Sequence, residues 1–145
     1  MTQDKKIMLI EDNPDDIELT LRAFKKNNIM NEIVVRSDGQ AALDYFFGPD
    51  GIADSKKTNL PILILLDLKM PKIDGIDVLK QLRTDGRTKL IPVVILTSSK
   101  EPADLLSCYN LGCNSYIRKP VEFTVFTEMV RELGFYWLMM NEVPQ

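Results

Sequence analysis

Five short apolar runs recur along the chain, each followed by a segment whose apolar residues return every three or four positions. The runs are Ile7 to Ile10, Ile33 to Val35, Ile62 to Leu66, Val93 to Leu96 and Tyr116-Ile117. Several are too uniformly apolar to offer water a face, so they read as strands covered on both sides. Covered strands alternating with helices make a parallel sheet joined by right-handed crossovers, with helices on both faces. The expected class is therefore α/β and doubly wound.

The intervening segments carry their own start signals. Asn13 is placed to cap a helix that opens at Pro14 and runs to Asn27, with Ile17, Leu21 and Phe24 on one face. A second helix spans Asp38 to about Phe47. A third follows Asp74-Gly75, with Ile76, Leu79 and Leu82 in line. A fourth begins at Pro102 with Leu105, Leu106 and Tyr109 expected to face inward, and a fifth runs from about Glu122 to Met140.

Composition removes several functions. The chain has 145 residues, one domain of ordinary size without room for a separate output domain, and no histidine. Without imidazole there is no Ser-His-Asp or Cys-His catalysis and no His-bearing zinc site. Cys108 and Cys113 are too few for a thiolate zinc site and read as small apolar fillers. A net charge of -3 without a basic block gives no footprint for nucleic acid. The charged N-terminus is no signal peptide and no apolar run is long enough to span a bilayer, so no membrane partner and a cytoplasmic location are expected.

In an open parallel sheet, sites form beyond the carboxyl ends of the strands. Strand one ends in Glu11-Asp12, strand three in Asp67, strand four in Thr97 and strand five in Arg118-Lys119-Pro120. Three carboxylates on one rim repel one another unless a cation intervenes, and a hard oxygen site with few protein ligands suits Mg²⁺. Mg²⁺ accepts phosphoryl oxygens, a carboxylate beside it can act as nucleophile, and a lysine and a threonine can hold the remaining phosphoryl oxygens. The set fits phosphoryl transfer onto Asp67. Singly, each residue is as well explained as a cap or a turn; their agreement at four strand ends carries the reading.

The motifs Ile-Glu-Asp-Asn-Pro at 10–14, Leu-Asp-Leu-Lys-Met-Pro-Lys-Ile-Asp-Gly at 66–75, Ile-Leu-Thr-Ser-Ser at 95–99 and Tyr-Ile-Arg-Lys-Pro at 116–120 resemble the receiver domain of two-component response regulators. The resemblance covers residues 5–138 and leaves 139–145 as a C-terminal tail. It implies a flavodoxin-like (βα)5 sheet in the order 2-1-3-4-5, Asp67 as phosphoacceptor, and Glu11, Asp12, Asp67 and the Lys69 carbonyl as the Mg²⁺ shell. It makes Lys119 the phosphoryl contact, Thr97 the switch hydroxyl and Tyr116 the rotating aromatic. It also implies a cis Lys119-Pro120 bond and a phosphoryl donor histidine on a separate sensor kinase, with Lys69 and Ser99 modulating the phosphate's lifetime. Glu11 stands where the first Asp of the usual pair is found, and Ser98 where Ala is frequent.

Two further segments narrow the resemblance. The insert at 48–61 and the ending at 133–144 look like the small regulators paired with cyanobacterial and bacterial phytochromes, which makes a phytochrome kinase the expected partner. The insert reads otherwise as a surface excursion, its alternative being a partner-binding loop. Phe135 to Met140 is apolar all round, so part of it faces outward in a lone monomer, and a homodimer through the C-terminal helix is expected, its alternatives being a docking site for the kinase and a tail folded back on its own core. An aspartate-nucleophile phosphatase would need an acid two places after Asp67, where Lys69 stands. A flavin- or nucleotide-binding module would need a phosphate-cradling loop where Glu11 to Asp16 is acidic.

Overall fold

A computed structural model describes residues 5–49, 51–52, 60–120 and 122–142. The polar run at 54–59, the heart of the long insert, lies outside the described residues, as does the end of the tail at 143–145. Five parallel strands, β1 (Ile7–Ile10), β2 (Ile33–Arg36), β3 (Leu63–Leu66), β4 (Val93–Thr97) and β5 (Ser115–Arg118), form one sheet in the order β2-β1-β3-β4-β5. This is the order that the family resemblance implies. β1, β3 and β4 are buried along their whole length, in keeping with their uninterrupted apolar sequence.

The helices are α1 (Pro14–Lys26), α2 (Gly39–Phe47), α3 (Gly75–Thr84), α4 (Pro102–Asn110) and α5 (Phe123–Gly134). Three start where a short acceptor side chain precedes them. Asn13 Oδ1 accepts from the Asp15 and Asp16 N–H groups, Asp38 from Ala41 and Asp74 from Asp77, satisfying donors that a helix start leaves free. The sheet separates two cores. Alternate strand residues such as Met8, Ile64 and Val93 meet Phe46 of α2, Val78, Leu79 and Leu82 of α3, and Cys108 of α4. On the other face Ile7, Leu65 and Val94 meet Phe24 of α1 with Phe126 and Val130 of α5.

Three expectations are corrected. Leu105, Leu106 and Tyr109 of α4 point outward, with Leu106 64% exposed, and Cys108 is the buried residue of that helix. The phase is set by Asp104, Cys108 and Leu111, at i, i+4 and i+7: Cys108 and Leu111 pack on the core while Asp104 turns in to accept the Ser99 hydroxyl of the β4–α4 loop. The fifth helix does not continue as an α-helix to Met140. It ends at Gly134 and widens into a π-helical turn, Phe135–Met140, closed by the Asn141 N–H donating to the Tyr136 carbonyl five residues back at 2.7 Å. The turn buries Leu138 and packs Trp137 against the α1–α5 core, while Phe135, Tyr136, Met139 and Met140 stay exposed. Finally, no described peptide bond is cis, so Lys119-Pro120 is trans, the lower-energy form of an X-Pro bond by about 0.5–1 kcal/mol.

Candidate functional site

The sheet's hydrogen-bond ladder continues one residue past the strands and so fixes the rim. The Asp67 N–H donates to the Ile10 carbonyl at 3.0 Å, Glu11 N–H to Arg36 at 3.1 Å, and Lys119 N–H to Thr97 at 2.8 Å. Backbone bonds between paired strands across the sheet thus set where the functional side chains begin. Behind Asp67 the α3 start must come close: a Cβ on Gly75 would lie 2.2 Å from the Asp67 carbonyl oxygen, so this contact requires glycine.

Glu11, Asp12 and Asp67 each bring a carboxylate oxygen within 4.8 Å of the others. Glu11 and Asp67 are buried. The Lys119 ammonium enters this cluster, hydrogen-bonded to Glu11 and to Asp16 Oδ2 at 2.9 Å and 3.6 Å from Asp67 Oδ2. Asp67 Oδ1 accepts the Leu68 N–H at 2.8 Å. Thr97 is fully buried at the end of β4, and its Oγ1 accepts the Ser99 N–H at 3.2 Å. The Tyr116 hydroxyl is buried beside Ser99, which attracts it without a hydrogen bond of full geometry forming.

Electrostatics follow from one cation among four carboxylates. Burial, reinforced by the Asp67 charge and opposed by Lys119, pushes the Glu11 carboxyl up to about 7. Burial alone would lower Lys119, but its contacts with Glu11, Asp67 and Asp16 outweigh that and raise it. The cluster is therefore short of positive charge. An acid-rich, oxygen-only donor set with one lysine suits a hard divalent cation. Burial pushes the Cys108 thiol to about 12 and raises Cys113, so neither is a thiolate nucleophile near neutral pH.

Glu11, Asp12, Asp67, Thr97 and Lys119 are thus brought to one rim. Lys69 departs from it in part: its side chain leans 3.4 Å from Asp104 Oδ2 at the start of α4. Two rim residues escaped the sequence reading. Asp16 shows there only as an acidic first-turn residue, and its partner Lys119 is 103 positions away. Asp104 is hidden in the same way on α4.

The sequence pattern of the response regulator receiver domain matches residues 7–131, nearly the whole chain. The chain belongs to the response regulator receiver family. Its curated relatives include the protein named Probable methanogenesis regulatory protein FilR2 of Methanothrix harundinacea, 41% identical over 95% of this chain and 86% of the relative. The phosphorylated cyanobacterial phytochrome response regulator RcpA is 35% identical and superposes with a TM-score of 0.87 over 98% of this chain and 99% of RcpA. The Mn²⁺-bound form of response regulator Rcp1, which is known from Synechocystis sp., is 34% identical with a TM-score of 0.84 over 97% and 99%. This receiver domain is therefore similar over nearly its full length to a phytochrome response regulator, RcpA, and to Rcp1, which has been solved with a divalent metal bound.

Proposed function

We propose that this receiver domain takes a phosphoryl group onto Asp67 from a phosphohistidine of a sensor histidine kinase. The observation that carries the reading is the cluster of Glu11, Asp12 and Asp67 with the Lys119 ammonium among them. Mg²⁺ held by Glu11, Asp12, Asp67 and the Lys69 carbonyl would supply charge neutralisation at the transferred group. An Asp67 carboxylate oxygen forms the new O–P bond as the donor's N–P bond breaks, and the imidazole leaves with its electron pair. Lys119 stabilises negative charge on one phosphoryl oxygen, and Thr97 donates its hydroxyl to another. Drawing Thr97 toward the new dianion loosens the end of β4, where Ser99 and the Tyr116 hydroxyl sit, and the change reaches the exposed apolar face of α4.

The partner kinase in this reading is a phytochrome, acting in the cytoplasm. Support comes from full-length similarity to a phytochrome response regulator. A homodimer through the C-terminal helix is part of the same proposal. Phe135 and Met139 are 62% and 66% exposed beside Met30, around a groove of about 290 Å³ that Ile29 and Leu138 also line. Exposed apolar area of that kind is covered when a second copy lays the same surface across it.

Borohydride reduction of protein treated with acetyl phosphate, followed by peptide mapping, tests the acceptor. Reduction at position 67 is expected. Modification at another carboxylate, with Asp67 intact, would refute the assignment.

A further inference from the structure

Asp104 meets two donors, from the loops that follow the neighbouring strands β3 and β4. Its Oδ2 accepts the Ser99 hydroxyl at 2.6 Å from the β4–α4 loop and lies 3.4 Å from the Lys69 ammonium from the β3–α3 loop. Asp104 itself is the third residue of α4 and is largely covered, with a side chain 16% exposed. Ser99 in turn accepts the Glu101 N–H, and Ser99 N–H donates to Thr97, so one carboxylate ties Lys69, Thr97 and the first turn of α4 into a single network. The network is slack at one point, because the buried Tyr116 hydroxyl is drawn toward Ser99 without a fully formed hydrogen bond.

We propose that Asp104 is a positioning residue that holds Lys69 in the unphosphorylated protein and gives it up when Asp67 is phosphorylated. The inference rests on Asp67 as the acceptor and goes beyond it. Lys69 stands two residues from Asp67 on an exposed, flexible stem, and a phosphoryl dianion outcompetes a single carboxylate for an ammonium. Once Lys69 leaves, Asp104 keeps only Ser99 among its two partners, and the Tyr116 hydroxyl is a donor at hand to take the vacated acceptor. The start of α4 then has a different set of anchors in the two states, which gives phosphorylation a route to the exposed face of Leu105, Leu106 and Tyr109. An equilibrium can be shifted only by differential contacts, and the Lys69–Asp104 pair is a contact made in one state alone.

The test uses beryllofluoride with Mg²⁺ as a phosphoryl mimic, with affinities measured for the wild type, Asp104→Asn, Lys69→Met and the double variant. Breaking an ion pair whose lysine is exposed costs the wild type a factor of about two to five, so Asp104→Asn is expected to bind that much more tightly. In the Lys69→Met background the same substitution should have no effect. An equal effect of Asp104→Asn in both backgrounds, or none in either, would overturn the proposal while leaving Asp67 in place. A wild type that binds no beryllofluoride would overturn the acceptor assignment and this proposal with it. If Asp104→Asn does not fold, Lys69→Met still decides. In the absence of metal, its amide shifts at Ala103 to Leu106 should follow the direction that beryllofluoride produces in the wild type. Unrelated shifts there would refute the role of Asp104.

Discussion

Glu11 is a carboxyl group only 2% exposed in a chain without histidine, and that combination makes its proton measurable. Its ordinary value of 4.5 is raised to about 7, first by burial and then by the Asp67 charge. A carboxyl whose pKa is higher folded than unfolded binds its proton more tightly in the folded protein. The stability this adds is present in full below 4.5 and is lost as pH rises through about 7. At about 1.4 kcal/mol per unit, the displacement corresponds to an upper bound of ~3 kcal/mol, or about 5–10 °C in melting temperature for a domain of this size. Without metal, the wild type should therefore melt lower at pH 7.5 than at pH 5.5. No imidazole titrates in that interval, and the α-amino group ionises near its upper end. Glu11→Gln keeps the side-chain volume and cannot ionise, so its melting temperature should vary much less over the same range. A divalent cation at pH 7.5 takes the place of the proton and should restore the wild type. Melts in EDTA at pH 5.5, 6.5 and 7.5 compare the two slopes, and any constant offset between the proteins is immaterial. Parallel slopes for wild type and Glu11→Gln would refute the assignment of a raised, proton-holding Glu11.

Gly75→Ala puts a methyl group against the Asp67 carbonyl at 2.2 Å, so it should both destabilise the fold and slow phosphorylation, read by denaturant unfolding and by labelling with acetyl phosphate. Thr97→Ala should still bind beryllofluoride but shift the α4 amides less than the wild type does, with a stability loss of about 1 kcal/mol from the lost bond to Ser99. Equal α4 shifts would remove Thr97 from the route. Replacing Phe135 and Met139 with Ser touches exposed positions and spares the packed Trp137 and Leu138, so the protein should stay folded. Sedimentation equilibrium should then show a concentration-dependent dimer in the wild type and a monomer in the variant; a wild type monomeric at every concentration would defeat the dimer.

The sheet was legible because β1, β3 and β4 are apolar without interruption, and burial on both faces is the only environment that suits such runs. Helix starts were legible at Asn13 and Asp74, where a capping side chain precedes the apolar period. The phase of α4 was not, because apolarity drew attention to Leu105 and Leu106. The helix is oriented instead by one cysteine and by Asp104, a polar residue whose hydrogen bonds arise only in the folded loop. The π-helical turn was invisible for a different reason. Phe135 to Met140 has no period, so nothing in it says which residue turns inward, and packing beside Ile29 selects Leu138. At the site, strand ends located Glu11, Asp67, Thr97 and Lys119, since sheet topology alone brings them together. Asp16 and Asp104 sit on helices, where acidic first-turn residues are common for reasons of the helix dipole, and only the three-dimensional contacts single them out.

Intact-mass measurement after incubation with acetyl phosphate and Mg²⁺ tests the central claim most directly. A single phosphoryl adduct is predicted for the wild type, and none for Asp67→Asn or for the wild type in excess EDTA. An Asp67→Asn protein labelled at the wild-type rate, or a wild type that stays unlabelled, would contradict phosphoryl transfer onto Asp67.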